Sequence, residues 1–145
     1  MAPSRLVLFL CVALVGQTDG DLTQFWKMVY EVTGRWPILT YAFYGCFCGV
    51  GGSGWPVDDI DWCCHIHDCC FENVMWRGCN PKTVRYKFNY GDATCADSDL
   101  YGCARQTCEC DRQAALCFKN NDEKYSMSRN FYAKKIKCYG FQPLC

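Results

Sequence analysis

Only two histidines occur in this 145-residue chain, His65 and His67, and both lie in the run Cys63-Cys64-His65-Ile66-His67-Asp68-Cys69-Cys70. On a helix, residues two apart project about 200° from each other, so the two rings meet different surroundings. His67 stands four residues after Cys63 and three before Cys70, which puts all three on one face. His65 points elsewhere and is expected to be partly exposed. A histidine held on a cysteine-rich, cross-linked face is suited to proton transfer near neutral pH. A core histidine satisfied by a carboxylate has the same surroundings, and helix geometry alone leaves both readings open.

Asp68 follows His67 directly, and a glycine-dense loop, Gly45 to Gly54 closed by Pro56, precedes the run. Glycine lets backbone approach a ligand closely, and successive carbonyls can chelate a hard cation. Calcium takes several oxygens, and Asp68 could supply the carboxylate among them. A phosphate loop would need a Lys-Ser or Lys-Thr after the glycines at a set spacing, and none stands at that spacing. A serine-hydrolase elbow fails as well, because Trp55 stands where the second glycine after Ser53 would be required. Taken alone, the glycines could also form a passive surface turn.

The elements that must position these groups can be read from pattern. Residues 1–20 are expected to be a secretory leader: Arg5, the apolar stretch Leu6 to Val15, and a polar exit ending at Gly20. That stretch is too short to span a bilayer, which takes about 20 residues, and no second one follows. One domain is expected over residues 21–145. Leu22, Phe25, Val29 and Val32 form the stripe of an amphipathic helix ended by Gly34. A second helix is expected from about Asp58 to Val74, with acidic residues at its positive end. Tyr86, Phe88 and Tyr90 alternate with charged or polar residues and predict a strand turning at Gly91-Asp92. A third helix is expected from about Leu100 to Phe118, followed by an aromatic, basic, irregular tail.

Of fifteen cysteines, Cys11 falls in the leader. The other fourteen, an even number behind a secretory signal, read as a disulfide framework. Zinc competes for such residues but favours separated ligand pairs and reduced thiols. The fold class is mainly α and disulfide-rich, with a small hairpin. Fifteen basic residues balance fifteen acidic ones, which argues against a general nucleic-acid binder. The charge is uneven: Asp58, Asp59, Asp61, Asp68 and Glu72 cluster, while Lys119, Lys124, Arg129, Lys134, Lys135 and Lys137 make the C-terminal part basic. Such a run is either a solvated face or a patch for anionic lipid.

The stretch Tyr44-Gly-Cys-Phe-Cys-Gly-Val-Gly-Gly-Ser-Gly-Trp-Pro-Val-Asp-Asp-Ile-Asp-Trp-Cys-Cys-His-Ile-His-Asp-Cys-Cys-Phe71 resembles the calcium loop and active-site helix of secreted phospholipases A2. Cys108-Glu-Cys-Asp-Arg-Gln-Ala-Ala-Leu-Cys-Phe118 resembles that family's other long helix. The likeness runs through the whole mature chain and implies a calcium-dependent, secreted enzyme that hydrolyses the sn-2 ester of phosphoglycerides. It implies that His67 is the general base, that Asp111 orients it, and that Tyr86 supports Asp111. Calcium would be held by the carbonyls of Phe47, Gly49 and Gly51 and by the Asp68 carboxylate. The Gly49 amide would donate to the oxyanion, and Lys82 would contact the substrate phosphate. Leu22, Trp26, Val50 and Trp36 match the rim that meets lipid, so the implied partner is a membrane or micelle surface touched peripherally by a monomer.

The same resemblance implies disulfides Cys46–Cys138, Cys48–Cys64, Cys63–Cys117, Cys69–Cys145, Cys70–Cys110, Cys79–Cys103 and Cys95–Cys108. The Cys63–Cys117 and Cys70–Cys110 pairs are consistent with two antiparallel helices in register, with Ala114 opposite His67. The Cys69–Cys145 pair, and Tyr30 in place of a cysteine, resemble the group II branch. One departure stands out: Phe71 occupies a position where the family usually carries a tyrosine that supports the active-site aspartate. The alternative is a non-catalytic, binding or toxin-like protein on the same fold, which the retained His67, Asp68 and Asp111 argue against.

Overall fold

The computed structural model describes residues 20–145, so the expected leader lies, Gly20 apart, outside the described residues. Three long helices carry the architecture: α1 (Gly20–Thr33), α3 (Asp59–Trp76) and α4 (Cys103–Asn120), with a one-turn α2 (Pro37–Thr40) between the first two. Beyond α4, two 3-10 turns (Asp122–Lys124 and Met127–Arg129) and a one-turn α5 (Lys134–Lys137) give local order to the segment expected to be an irregular tail. Helix α4 packs against both α1 and α3.

Local chemistry explains where the helices stop and start. Gly34, at φ +71°, closes α1 by donating its amide to the Tyr30 carbonyl at 2.8 Å. Asp58 caps α3, its side chain accepting the Asp61 amide at 2.9 Å, and Asp59 and Asp61 place negative charge in the first turn, where the helix dipole favours it. The α1 stripe divides on packing. Val29 is fully buried with Met28, which the stripe omits, while Leu22 is exposed.

Seven disulfides knit the described residues: Cys46–Cys138, Cys48–Cys64, Cys63–Cys117, Cys69–Cys145, Cys70–Cys110, Cys79–Cys103 and Cys95–Cys108. Two of them join α3 to α4, with Cα–Cα separations of 5.7 Å at Cys63–Cys117 and 5.6 Å at Cys70–Cys110. The core between the helices is made by Met28, Val29, Tyr44, Phe47, Ile60, Ala114, Ala115 and Phe118, with Tyr41 stacked on Phe118 at 4.1 Å.

Two expectations need correction. No strand forms among the described residues; the expected hairpin is reduced to a single antiparallel bridge, Phe88 with Cys95. The chain does turn back there, with the Asn89 amide donating to the Thr94 carbonyl and Ala96 to Lys87. The Cys95–Cys108 disulfide ties it to α4 rather than to a further strand, and a pair this short has no sheet to extend it. His65 is also not partly exposed but 3% accessible. Its ring meets Phe47 and Trp62 edge-on, at 4.8 and 5.5 Å, because the loop before α3 folds back over that face.

What holds that loop is Asp61, a fully buried carboxylate. It accepts the amides of Cys46 and Phe47 at 2.8 Å each and that of Val57 at 2.9 Å. Gly45 is required beside it, since a Cβ there would lie 2.4 Å from the Asp61 carboxyl carbon. An Asp61→Ala variant leaves three loop amides without their acceptor. With each buried unsatisfied group costing about 1–3 kcal/mol, the oxidised protein is expected to lose at least about 3 kcal/mol in guanidinium unfolding.

Candidate active site

The α3–α4 cross-links bring the His67 and Asp111 side chains together across the helix pair. His67 Nε2 lies 2.6 Å from Asp111 Oδ1, and Asp111, 1% exposed, accepts the Tyr86 hydroxyl on Oδ2 at 2.6 Å. With the carboxylate accepting on both oxygens, the neutral imidazole carries its proton on Nε2. Nδ1 then keeps a free lone pair and makes no hydrogen bond to the described residues. The imidazole is stacked on Phe25 of α1 at 4.5 Å and 9°, and Phe71 leans against it at 4.3 Å and 46°. Ala114 is buried on α4.

Tyr86 is itself clamped. Gln24 of α1 donates to the Tyr86 carbonyl at 2.5 Å and accepts the Tyr86 amide at 3.1 Å. Sequence reasoning missed Gln24, because a glutamine beside an apolar stripe carries no signal of a partner 62 residues away. Phe71 has no hydroxyl to offer, so Tyr86 is the phenol that reaches Asp111.

The glycine loop runs just ahead of α3 in the chain. Gly49 has φ +84°, and a Cβ there would sit 1.9 Å from the Ala42 carbonyl oxygen, so no other residue fits. Gly51 is also left-handed, at φ +76°. Phe47 is buried, while Gly49, Val50 and Gly51 are exposed. The Cys46–Cys138 and Cys48–Cys64 disulfides pin the loop to the C-terminal segment and to α3.

Asp68 completes the setting. Its side chain is solvent-accessible, yet the protein crowded around it displaces bulk water. That desolvation pushes its pKa up to about 6, against the opposing pull of His67, Lys134 and Lys82. No hydrogen bond reaches its carboxylate among the described residues, in contrast to Asp61 and Asp111. An anionic oxygen without a donor, beside a loop of exposed glycine carbonyls, is a donor set that fits a hard cation such as calcium. A zinc site does not fit. The His65, Cys69 and Cys145 ligand atoms converge, but both sulfurs are spent in the Cys69–Cys145 disulfide.

Of the remaining residues singled out from the sequence, Lys82 is exposed and near enough to favour the ionised form of Asp68. Val50 is 99% accessible, Leu22 and Trp36 are exposed, and Trp26 is half-buried. Missed in the sequence were Leu39 and a stacked pair, Phe43 and Phe131, all exposed. Asn130 links them, donating to the Leu39 carbonyl at 2.7 Å.

The raised pKa of Asp68 has a thermodynamic consequence. Between its unfolded value near 4 and about 6, the folded state binds the extra proton, so this group's contribution makes the calcium-free protein less stable as pH rises through that window. An Asp68→Asn variant in chelator is therefore expected to unfold at higher temperature than the parent at pH 7. The two should converge at pH 4.

Comparison with known proteins agrees with this geometry. The family model described as phospholipase A2 matches residues 22–130. A phospholipase A2 of Pithecopus azureus is 44% identical over 97% of both chains. Group IIE secretory phospholipases A2 of Mus musculus and Homo sapiens are 44% and 43% identical over the full length of both chains. The chain belongs to the secreted phospholipase A2 family, on its group II-like side.

Proposed function

We propose that the protein is a secreted, calcium-dependent phospholipase A2 that cleaves the sn-2 ester of phosphoglycerides at a lipid surface, and that residues 1–20 are a leader removed from a single domain, 21–145. The observation that carries this reading is the chain of Tyr86, Asp111 and His67, with a free Nδ1 facing away from Asp111. In it, His67 Nδ1 takes a proton from water as the water oxygen attacks the ester carbonyl carbon. The imidazolium then returns that proton to the departing glycerol oxygen. Asp111 favours the imidazolium by charge and fixes the ring, while Tyr86 keeps the buried carboxylate satisfied. No covalent acyl-enzyme is required, and the products are a lysophospholipid and a free fatty acid.

Calcium would be held by the carbonyls of Phe47, Gly49 and Gly51 and by Asp68, and when bound it supplies polarisation of the ester carbonyl and charge balance for the oxyanion. The Gly49 amide is the protein's own donor to that oxygen. Lys82, exposed and near Asp68, would meet the substrate phosphate.

Leu22, Trp26 and Val50, extended by Trp36, Leu39, Phe43 and Phe131, would make the contact with lipid. Aromatic side chains suit the boundary between apolar and wet regions. With formal charges balanced over the chain, such contacts rather than electrostatics would dominate adsorption, so zwitterionic surfaces are acceptable. No described helix is long and apolar enough to cross a membrane, in keeping with peripheral attachment.

The test is fatty-acid release from mixed phospholipid vesicles by the oxidised protein lacking residues 1–20. Release is expected to stop with excess chelator and in His67→Gln, with the co-product retaining its sn-1 chain. No release from any vesicle by a folded, calcium-loaded protein would leave a non-catalytic binding role. A Tyr86→Phe variant strips Asp111 of its phenol, and the value of one such bond, about 1.4 kcal/mol, corresponds to roughly tenfold in kcat. Phe71→Tyr is expected to raise kcat by up to about tenfold and to restore part of what Tyr86→Phe loses, measured on the same vesicles.

A further inference from the structure

The basic C-terminal run does not behave as a uniform solvated face. Lys124 pairs with Asp59, Arg129 with Asp58, and Lys137 lies over the Tyr132 ring. Lys134 turns the other way. It opens α5, four residues before Cys138, whose disulfide to Cys46 anchors this segment to the glycine loop. Its side chain is half-buried, and its ammonium donates to the main-chain carbonyl of Cys48. That carbonyl lies between Phe47 and Gly49, two of the positions read above as calcium ligands.

The charges around this ammonium are few. Asp68 and Asp61 both attract it, while burial pulls its pKa down. Asp61 already accepts three backbone amides. Asp68 accepts none, and it feels Lys134 and Lys82 as favourable neighbours. The carboxylate assigned to calcium is thus already partly served by a cation belonging to the chain itself.

We propose that Lys134 is a built-in electrostatic competitor of calcium, which weakens the loop's calcium affinity and so sets the calcium concentration at which the enzyme loads. This rests on the calcium reading of the loop given above. Two effects of removing the charge oppose each other. Losing the bond to Cys48 would loosen the loop, whereas losing the charge would relieve repulsion of a divalent ion. The first is small here, because two bonds to Asp61 and two disulfides hold the loop without Lys134. The second is not: by Coulomb's law, even in the full dielectric of water, removing a unit charge from within roughly two side-chain widths of a divalent ion changes affinity by about fivefold.

The experiment is calorimetric titration of the oxidised, leader-free protein with calcium chloride, without lipid. Lys134→Gln is expected to bind calcium about fivefold more tightly than the parent at low ionic strength, with the gap shrinking as salt is added. Lys134→Arg keeps the charge and should stay near the parent. Lys135→Gln removes the same charge from the exposed neighbour and should shift affinity far less. Lys134→Met serves as a second neutral variant should the glutamine fold poorly. Unchanged or weaker binding in folded Lys134→Gln or Lys134→Met, or an equal gain in Lys135→Gln, overturns the proposal. A folded parent that takes up no calcium overturns the calcium reading itself, and the role of Lys134 with it.

Discussion

His67 and Asp111 lie on different helices, 44 residues apart, and their 2.6 Å contact exists only because α3 and α4 are locked in one register. Helices packed by apolar side chains alone can slide or rotate at modest cost, and a drift of 1 Å would break this bond. Cys63 precedes His67 by one turn and Cys70 follows it by slightly less, so the cross-links to Cys117 and Cys110 bracket the imidazole. The small Ala114 lies between those two partners on α4, which leaves room for the ring. Groups that must meet within a few tenths of an ångström are better carried on rigid elements than on loops. The same frame then positions Tyr86, because α1 packs on α4 and presents Gln24 to its backbone.

Three carboxylates near this frame receive three different treatments, and the contrast separates structure from chemistry. Asp61 is fully buried and saturated by backbone amides, which makes it a fastener for the loop. Asp111 is nearly as buried but accepts from an imidazole and a phenol, so its partners are themselves polarisable and one can change charge. Asp68 is given no donor, and desolvation pushes its pKa up to about 6. Buried charges persist in folded proteins when they are paired or hydrogen-bonded. A carboxylate left partly desolvated and unbonded is one the fold supports for another purpose, and calcium binding is the purpose proposed for it above.

Much of this was legible in the chain. The spacing of His67 between Cys63 and Cys70 selected it over His65, and the acidic start of α3, the Gly34 stop and the glycine loop all carry local signals that the structure follows. What escaped was non-local. The burial of His65 depends on Phe47 folding back over α3, which no helical periodicity encodes. Alternation at Tyr86, Phe88 and Tyr90 suggested a strand, but a strand needs a partner of matching length, and the disulfide from Cys95 to α4 takes that segment elsewhere. Gln24 and Lys134 act through main-chain atoms 62 and 86 residues away. Such contacts leave no mark on the sequence around them.

The exchange of a tyrosine for Phe71 is best understood from the faces of the imidazole. Phe25 lies flat against one side and Phe71 tilts against the ring as well, so neither neighbour offers a hydrogen bond. The polar contacts left to His67 are then Asp111 at Nε2 and whatever approaches Nδ1, the atom proposed above to take the proton from water. When the ring becomes charged, the aromatic faces beside it attract the cation, by about 0.5–1 kcal/mol or more where water is excluded. That gain appears only in the protonated state, the one that the proposed mechanism has His67 reach as water attacks. A tyrosine at position 71 would keep the same ring beside His67 and add a hydroxyl for Asp111, so Phe71 preserves the ring's contribution and lacks the hydroxyl alone.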